Sequence, residues 1–207
     1  GAAPVDEREE IARVVPVIAA LRAATKAPIS IDTMKPGVAM AALAAGATIW
    51  NDVAALQAPG ALETAATLHR PVILMHMKGE PRTMQDDPRY DDVVSEVIDF
   101  LRARVATAVD KGVSDIWVDP GIGFGKTLEH NLALLRNVRR IRDETGRPVV
   151  IGASRKRFIR AIDERAGDAS KDRLGGSVAA ALLAAQNGAA MVRVHDVAET
   201  VQALKVW

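Results

Sequence analysis

The stretch Asp115-Ile-Trp-Val-Asp-Pro-Gly-Ile-Gly-Phe-Gly-Lys126 contains a short apolar run that stops at a carboxylate and turns into a glycine-rich loop. Ile116–Val118 is too short for a helix and is β-branched or aromatic, which predicts a buried strand. Pro120 and the alternating glycines end that strand, so Asp119 is expected at its carboxyl-terminal tip. A glycine backbone can approach a ligand closely, and Lys126 adds a positive charge before the next helix. The stretch therefore predicts a site for a polar ligand.

Two simpler interpretations compete for this loop. Its end, Gly125-Lys126-Thr127, looks like the end of a phosphate-binding P-loop, but that motif requires glycine at position 120, which is proline. The other interpretation is a tight turn between strand and helix, capped by Asp119. Polar residues at the ends of the other predicted strands favour the ligand site.

Composition limits the class of protein. With 207 residues, 49% of them hydrophobic, the chain is expected to form one globular domain over residues 1–207. Lys and Arg number 27 against 26 for Asp and Glu, so no basic excess is present to hold a nucleic acid. The absence of cysteine excludes disulfides and thiolate chemistry. No apolar run approaches the ~20 residues of a membrane span and no signal peptide is recognised, so a cytoplasmic protein is expected.

Short apolar segments alternate with helical patterns along the chain. The predicted strands are 28–32, 48–52, 71–76, 115–119, 148–153 and 191–195. The predicted helices are 6–25, 35–43, 60–69, 91–111, 128–144, one from 156, 171–187 and one from 197. Strands without alternating polarity, each followed by a helix, indicate a parallel sheet, because parallel strands need crossover helices that cover both faces. The predicted fold class is α/β.

The polar ends of the predicted strands favour a TIM (β/α)8 barrel over a doubly wound sheet. These residues are Asp32, Asn51, His76, Asp119, Ser154 and His195. A doubly wound sheet usually gathers its ligand at one switch point, whereas a barrel directs such residues into a single pocket. Six β/α units are two short of eight, so they are expected to be strands 3 to 8, with the first two strands absent from this chain.

Several of these residues also have a purely structural interpretation. Asp32 fits a turn or a helix cap, and Asn51 fits a turn. Met75 beside His76 is more often core filler next to a satisfied histidine than a ligand. The basic run Ser154-Arg-Lys-Arg157 would ordinarily be solvated, but cations are disfavoured at a helix N terminus without a nearby anion. That position favours a functional role.

The last predicted strand carries two cationic or potentially cationic residues. Arg193 and His195 are two residues apart, so both are expected on one side of the strand, inside the barrel. A buried guanidinium needs an anionic partner. With carboxylates, an amide and cationic groups at other strand ends, the sequence predicts a cleft for a ligand that has donor-rich and anionic parts.

Six motifs carry a family resemblance over the whole chain. They are Ser30-Ile-Asp-Thr33, Trp50-Asn-Asp52, Leu74-Met-His-Met77 followed by Gly79 and Thr83-Met84, Asp119-Pro-Gly-Ile-Gly-Phe-Gly-Lys126, Ser154-Arg-Lys156 and Arg193-Val-His-Asp196. With these motifs in this order, the sequence resembles the dihydropteroate synthase family. The resemblance implies a transferase of folate biosynthesis, a known sulfonamide target, that joins 6-hydroxymethyl-7,8-dihydropterin pyrophosphate to p-aminobenzoate and releases pyrophosphate.

The resemblance also implies roles for individual residues. The implied substrate-binding residues are Asp32, Asn51, Met75, Asp119, Gly123, Phe124, Lys156, Arg193 and His195, of which Lys156, Arg193 and His195 are catalytic. By this resemblance Asp119 accepts hydrogen bonds from the 2-amino and ring N–H groups of the pterin, a bidentate match for a carboxylate. Met75 and Phe124 pack on the ring, Lys156 donates to it, and Arg193 and His195 face the pyrophosphate with Mg²⁺.

Three further expectations follow from the resemblance. The family's metal-binding asparagine would lie upstream of Gly1, so no Mg²⁺ ligand is expected within this chain. A homodimer is expected, and the Ala- and Leu-rich segment 176–186, apolar all round, is the expected contact. The alternatives are a methyltetrahydrofolate-binding corrinoid methyltransferase and an inactive truncated pterin-binding scaffold. The basic motifs at 154–156 and 193–195 favour the enzyme that handles pyrophosphate.

Overall fold

Strands and helices alternate along the chain, as the sequence predicts, in a computed structural model that describes residues 5–79, 83–163 and 173–207. The strands are β1 (Ser30–Asp32), β2 (Ile49–Asp52), β3 (Val72–Met75), β4 (Ile116–Asp119), β5 (Val150–Ile151) and β6 (Met191–Val192). The helices are α1 (Glu7–Ala24), α2 (Pro36–Ala44), α3 (Ala61–Leu68), α4 (Val93–Asp110), α5 (Leu128–Arg136), α6 (Val138–Thr145), α7 (Arg157–Ile162), α8 (Leu174–Gln186) and α9 (Val197–Val206).

One compact unit contains the described residues up to Met75 together with Ala103–Trp117. In this unit β1 pairs in parallel with β2, and β2 pairs in parallel with β3. The sheet has the order β1-β2-β3-β4, and β4 begins in this unit. The fully buried indole of Trp50 donates from Nε1 to the backbone oxygen of Thr33 at 2.8 Å, which fixes the chain just beyond β1.

The second compact unit contains His76–Arg102 and the described residues from Val118 onward. At the end of β4, Val118 forms a parallel bridge with Val149, and β5 pairs in parallel with β6. Leu134 of α5 and Ile141 of α6 are fully buried in its core. Because carboxyl ends of parallel strands point the same way, the loops after β4, β5 and β6 leave the strands in one direction.

The structure corrects three predicted elements. The predicted helix 128–144 is divided into α5 and α6 at Asn137, whose backbone has φ −109° and ψ 20°. The Asn137 side chain donates from Nδ2 to the backbone oxygen of Ala133 at 2.8 Å, a local bond of the kind that competes with continued helix. The predicted strands 148–153 and 191–195 are both shorter, because β5 is only Val150–Ile151 and β6 only Met191–Val192. Beyond β6, the Arg193 N–H still donates to the backbone oxygen of Ile151 at 2.9 Å. The predicted start of the helix 171–187 lies outside the described residues.

The α/β class with parallel strands is confirmed. The described elements are consistent with successive β/α units of a TIM barrel, whose closure remains a prediction, as does the single domain over residues 1–207. Among the described residues, no helix is both long and apolar enough to cross a membrane.

Candidate active site

In the first unit, the ends of β1 and β2 bring two predicted ligand-binding residues side by side. Asp32 is in register with Asn51, and register partners in neighbouring strands project from the same face of a sheet. Asp32 is exposed, whereas Asn51 is buried. Met75, at the end of β3, is also buried. The three predicted residues of this unit therefore all lie at carboxyl ends of strands.

Asp52, the neighbour of Asn51, organises the turn that follows β2. Its carboxylate accepts hydrogen bonds from the backbone N–H groups of Ala54 at 2.8 Å and Leu56 at 2.9 Å. Ala55 and Leu56 have positive φ of 52° and 57°, and Arg104 donates to both of their backbone oxygens. Burial raises the pKa of Asp52 to about 6, and the backbone hydrogen bonds act in the opposite direction. Asp52 is thus a buried support for the backbone after Asn51.

In the second unit, Asp119 ends β4 as a buried carboxylate. Its Oδ1 accepts a hydrogen bond from the Gly121 N–H at 2.7 Å. Burial raises the pKa of Asp119, and this effect is opposed first by Lys156, then by the Gly121 N–H, Arg193 and Lys126. Since a carboxylate has about four lone-pair sites, one bond to Gly121 leaves capacity for a ligand with adjacent donors.

The glycines after Asp119 allow close approach of the chain's own backbone. Gly121 and Gly125 have positive φ of 70° and 62°. A Cβ on Gly121 would lie 1.9 Å from the backbone oxygen of His76, and one on Gly125 would lie 2.2 Å from that of Lys78. The sequence predicted that these glycines let a ligand approach, but at these two positions the close neighbour is the segment that follows β3.

Lys126 is buried, with 3% of its surface exposed, although the sequence predicted a charge offered to a ligand. Its Nζ lies 2.9 Å from Nδ1 of His76 and donates to the backbone oxygen of Phe124 at 3.0 Å. Burial, followed by the charge of Lys126, lowers the pKa of His76 to about 3. A neutral imidazole accepts a hydrogen bond from an ammonium group, so His76 is the satisfied buried histidine that the sequence favoured.

Lys156 lies immediately before α7 and lies across the loop that follows β4. Its Nζ donates to the backbone oxygen of Ile122 and is 4.2 Å from the centroid of the Phe124 ring, a cation–π contact. A Cβ on Gly123 would lie 2.8 Å from Cδ of Lys156, so this glycine makes room for the lysine stem. The structure thus brings the predicted residues Gly123, Phe124 and Lys156 together.

Two contacts tie the loop after β5 to the loop after β6. The hydroxyl oxygen of Ser154 is 3.0 Å from Nδ1 of His195 and accepts a hydrogen bond from the His195 backbone N–H at 3.2 Å. Arg155, with a positive φ of 59°, forms two hydrogen bonds from its guanidinium group to the carboxylate of Asp196. These bonds hold Ser154 and Arg155, the two residues immediately before Lys156, against the loop after β6.

Arg193 differs from its predicted environment. The sequence placed its guanidinium group inside the barrel, but Arg193 and His195 are both exposed and lie beyond the end of β6. A Cβ on Gly152 would lie 3.5 Å from Nε of Arg193 and 3.8 Å from Oδ2 of Asp119. Gly152 therefore leaves the space in which the guanidinium group and the carboxylate approach each other.

The side chains of the described residues do not by themselves form a magnesium site. Among the residues of the described ranges, no three His, Asp or Glu side chains form a group that could hold a metal. Arg193 and His195, which the sequence placed beside the pyrophosphate, offer nitrogen atoms, whereas Mg²⁺ takes oxygen ligands in octahedral geometry. No step of the chemistry is therefore assigned to an ion on these residues.

Sequence reasoning missed the internal partners of the site. The Lys126–His76 pair and the Arg155–Asp196 pair were not predicted, because a lysine or arginine beside a glycine-rich turn has the same sequence pattern whether its partner is a ligand or another side chain. Spacing gives no signal for either pair, since their members are 50 and 41 residues apart.

Comparison with known proteins gives concordant results. Residues 1–195 match the family described as pterin binding enzyme. Dihydropteroate synthase of Haemophilus influenzae is 46% identical over 206 residues, which are 98% of this chain and 73% of that protein. The crystal structure of dihydropteroate synthase from Stenotrophomonas maltophilia with active site-bound imidazole matches with a TM-score of 0.95 at 50% identity, covering 100% of this chain and 77% of that one. Dihydropteroate synthase from Xanthomonas albilineans in complex with 7,8-dihydropteroate matches with a TM-score of 0.91 at 49% identity, covering 98% and 76%.

Proposed function

The chain belongs to the pterin binding enzyme family, and within it to the dihydropteroate synthases, so we propose that it condenses 6-hydroxymethyl-7,8-dihydropterin pyrophosphate with p-aminobenzoate. The products are 7,8-dihydropteroate and pyrophosphate. The observation that carries this proposal is the likeness, at 49% identity, to a synthase solved with 7,8-dihydropteroate. It favours the predicted reaction over methyl transfer to a corrinoid.

Asp119 is the residue that we assign to pterin recognition in the second unit. A buried carboxylate that keeps unused lone pairs can accept bonds from both the 2-amino group and the adjacent ring N–H of a pterin. The ring of Phe124, with Lys156 over one of its faces, offers a flat apolar surface beside it. Lys156 would donate to the oxygen and nitrogen edge of the pterin once its bond to Ile122 is exchanged.

In the first unit we assign Asp32, Asn51 and Met75 to substrate binding. The register of Asp32 with Asn51 supports this assignment, because it offers an acceptor and an amide from one face of the sheet. The buried Asp52 turn holds the backbone that follows Asn51 in place. The buried thioether of Met75 gives an apolar contact suited to a ring.

Arg193 and His195 are assigned to the pyrophosphate leaving group. In the reaction, the bond between the pterin methylene carbon and the ester oxygen breaks, and the pyrophosphate departs with the electron pair. The amine nitrogen of p-aminobenzoate forms the new bond to that carbon and loses a proton. A guanidinium group near the departing oxygens stabilises the negative charge that develops there, and exposed Arg193 is accessible for it. No protein nucleophile is required.

Magnesium, a cytoplasmic location and a homodimer remain parts of the proposal. Mg²⁺ is commonly held by substrate phosphates with few protein ligands, so we infer that the diphosphate substrate supplies oxygen ligands for it.

The dimer is supported by an apolar groove of about 590 Å³ in the second unit. Its lining includes Leu135, Phe158, Ile162, Ala179 and Leu183.

The proposed reaction is tested by following pyrophosphate release from 6-hydroxymethyl-7,8-dihydropterin pyrophosphate. We expect release to require p-aminobenzoate and to match formation of 7,8-dihydropteroate mole for mole. Omitting p-aminobenzoate is the control for simple hydrolysis. Release that continues at the same rate without p-aminobenzoate would contradict the proposed transfer.

A further inference from the structure

The buried pair of Lys126 and His76 has no part in the proposed mechanism. Lys126 is 3% and His76 6% exposed, and the lysine Nζ lies 2.9 Å from the imidazole Nδ1. A buried ammonium group is expensive unless it is paired or serves another charge. The His76 imidazole is neutral, so it does not balance the charge of Lys126.

The His76 ring is held in place by its surroundings. The Phe100 ring meets it edge-on, with centroids 5.0 Å apart at 88°, and the Tyr90 ring lies 6.1 Å from it. The His76 backbone N–H donates to the Asp119 backbone oxygen at 2.9 Å. The imidazole is therefore a fixed acceptor, and it locates the ammonium group of Lys126 close to the end of β4.

Asp119 and Lys126 both lie against Gly121. The Gly121 N–H donates to Asp119 Oδ1 at 2.7 Å, and a Cβ on Gly121 would lie 3.4 Å from the lysine Nζ. Asp119 is therefore the anionic group that can balance the charge of Lys126. Asp119 raises the pKa of Lys126 against the stronger lowering by burial, and Lys126 in turn lowers the pKa of Asp119. Lys156, Arg193 and Lys126 act electrostatically on Asp119. Asp119, Lys156 and Lys78 act on Lys126, whose Nζ also contacts His76. Lys156 and Arg193 are assigned to substrate, whereas Lys126 is occupied by His76 and the Phe124 backbone oxygen.

We propose that Lys126 is a positioning residue of the pterin site, whose buried charge, located by His76, keeps Asp119 ionised so that it accepts hydrogen bonds from the pterin. This inference rests on the proposed function, because it presumes that Asp119 binds the pterin. Lys126 does not contact the substrate in this assignment. It acts through Asp119, and its bond to the Phe124 backbone oxygen fixes the same loop.

The test is the pH dependence of affinity for 6-hydroxymethyl-7,8-dihydropterin, a probe that is neutral over this range, measured by calorimetry from pH 5 to 8. Lys126→Gln removes the charge but keeps a donor for His76, so the pH at which affinity declines on the acidic side should rise by roughly 0.5–1 unit, as expected for loss of one nearby opposite charge. The pKa of Lys126 is about 7, so its ammonium group is charged over this acidic range. Affinity near pH 8 should change less than twofold.

Lys78→Gln is the matched control, because Lys78 also acts on Lys126 but is not among the charges that act on Asp119, and its side chain is 45% exposed. We expect it to leave the acidic limit unchanged. Two results would overturn the charge role of Lys126 and leave it a purely structural one. Either the affinity of Lys126→Gln declines at the same acidic pH as that of wild type, or the variant loses the same affinity at every pH. Failure of wild-type turnover with intact pterin binding would instead contradict the proposed function.

A second measurement on wild type does not depend on the variant folding. Nitrogen NMR of the His76 imidazole should show a neutral ring with the proton on Nε2 throughout pH 5–8. A His76 that becomes protonated in this range would contradict the assignment of Lys126 as the charged donor.

Discussion

Gly121 illustrates how a single residue connects sequence to the site. The absence of its side chain lets the loop after β4 approach the backbone oxygen of His76, and its positive φ of 70° suits only glycine well. Its N–H also holds Asp119 at 2.7 Å. The same residue therefore shapes the turn and orients the carboxylate.

Replacing Gly121 by alanine should destabilise the protein strongly. The left-handed conformation costs about 1–2 kcal/mol for a residue with a Cβ, and the contact at 1.9 Å adds backbone displacement. We expect a loss of about 3 kcal/mol or more in urea unfolding. Gly146→Ala is the matched control, since Gly146 has a φ of 63° but no atom within 4 Å of the place that a Cβ would occupy. Equal losses for both variants would contradict the close-approach explanation.

At the scale of elements, the turn after β2 should make stability depend on pH. Burial raises the pKa of Asp52 from 3.8 to about 6. A raised pKa means that folding favours the protonated form, so this contribution is present below pH 3.8 and is lost as the pH rises through about 6. Relative to Asp52→Asn, the free energy of unfolding of wild type should fall by about 2 kcal/mol between pH 4 and pH 7.

The measurement is urea unfolding of both proteins at several pH values. Asp52→Asn also exchanges one carboxylate acceptor for an amide donor, which lowers its stability by a similar amount at every pH. The difference in slope, not the offset, is therefore the result that counts. Parallel curves would show that the buried carboxylate does not titrate in this range.

The positions of the strands were predictable from the sequence, but the ends of some elements were not. Short apolar runs located the strands correctly, because parallel strands are buried on both faces. The break at Asn137 was not predictable, since Val138 and Ile141 continue the apolar pattern of the helix and are buried as it requires. The early end of β6 depended on its neighbour β5, which has only two residues, and a strand's length is limited by its partner.

In the candidate site, the positions of several residues were predictable from the sequence, but their surroundings were not. Asp119, Asn51 and Asp32 were found from their position at strand ends, a property of chain order. The exposure of Arg193 and the burial of Lys126 depend on which other side chains surround them, and local patterns do not contain that information.

At the scale of the whole molecule, the proposed homodimer makes a separate prediction. Ile162 lines the apolar groove and is 58% exposed. Val197 of α9 is also 58% exposed but is not part of the groove lining. Ile162→Glu should weaken self-association at least about tenfold, a cost of about 1.4 kcal/mol, because it places a charge in the apolar contact. Sedimentation equilibrium measures this, with Val197→Glu as the control. Monomeric wild type at tens of micromolar, or dissociation by Val197→Glu alone, would contradict the assigned surface.

Asp119 is the residue assigned to pterin recognition, and calorimetric titration of 6-hydroxymethylpterin into wild type and Asp119→Asn tests this role. An amide at this position faces one substrate donor with its own donor, so we expect affinity to fall by about 2–4 kcal/mol, since a buried unsatisfied group is costly. Asp115→Asn, a change at an exposed carboxylate before the same strand, should bind as wild type does. Unchanged affinity in Asp119→Asn would contradict the account.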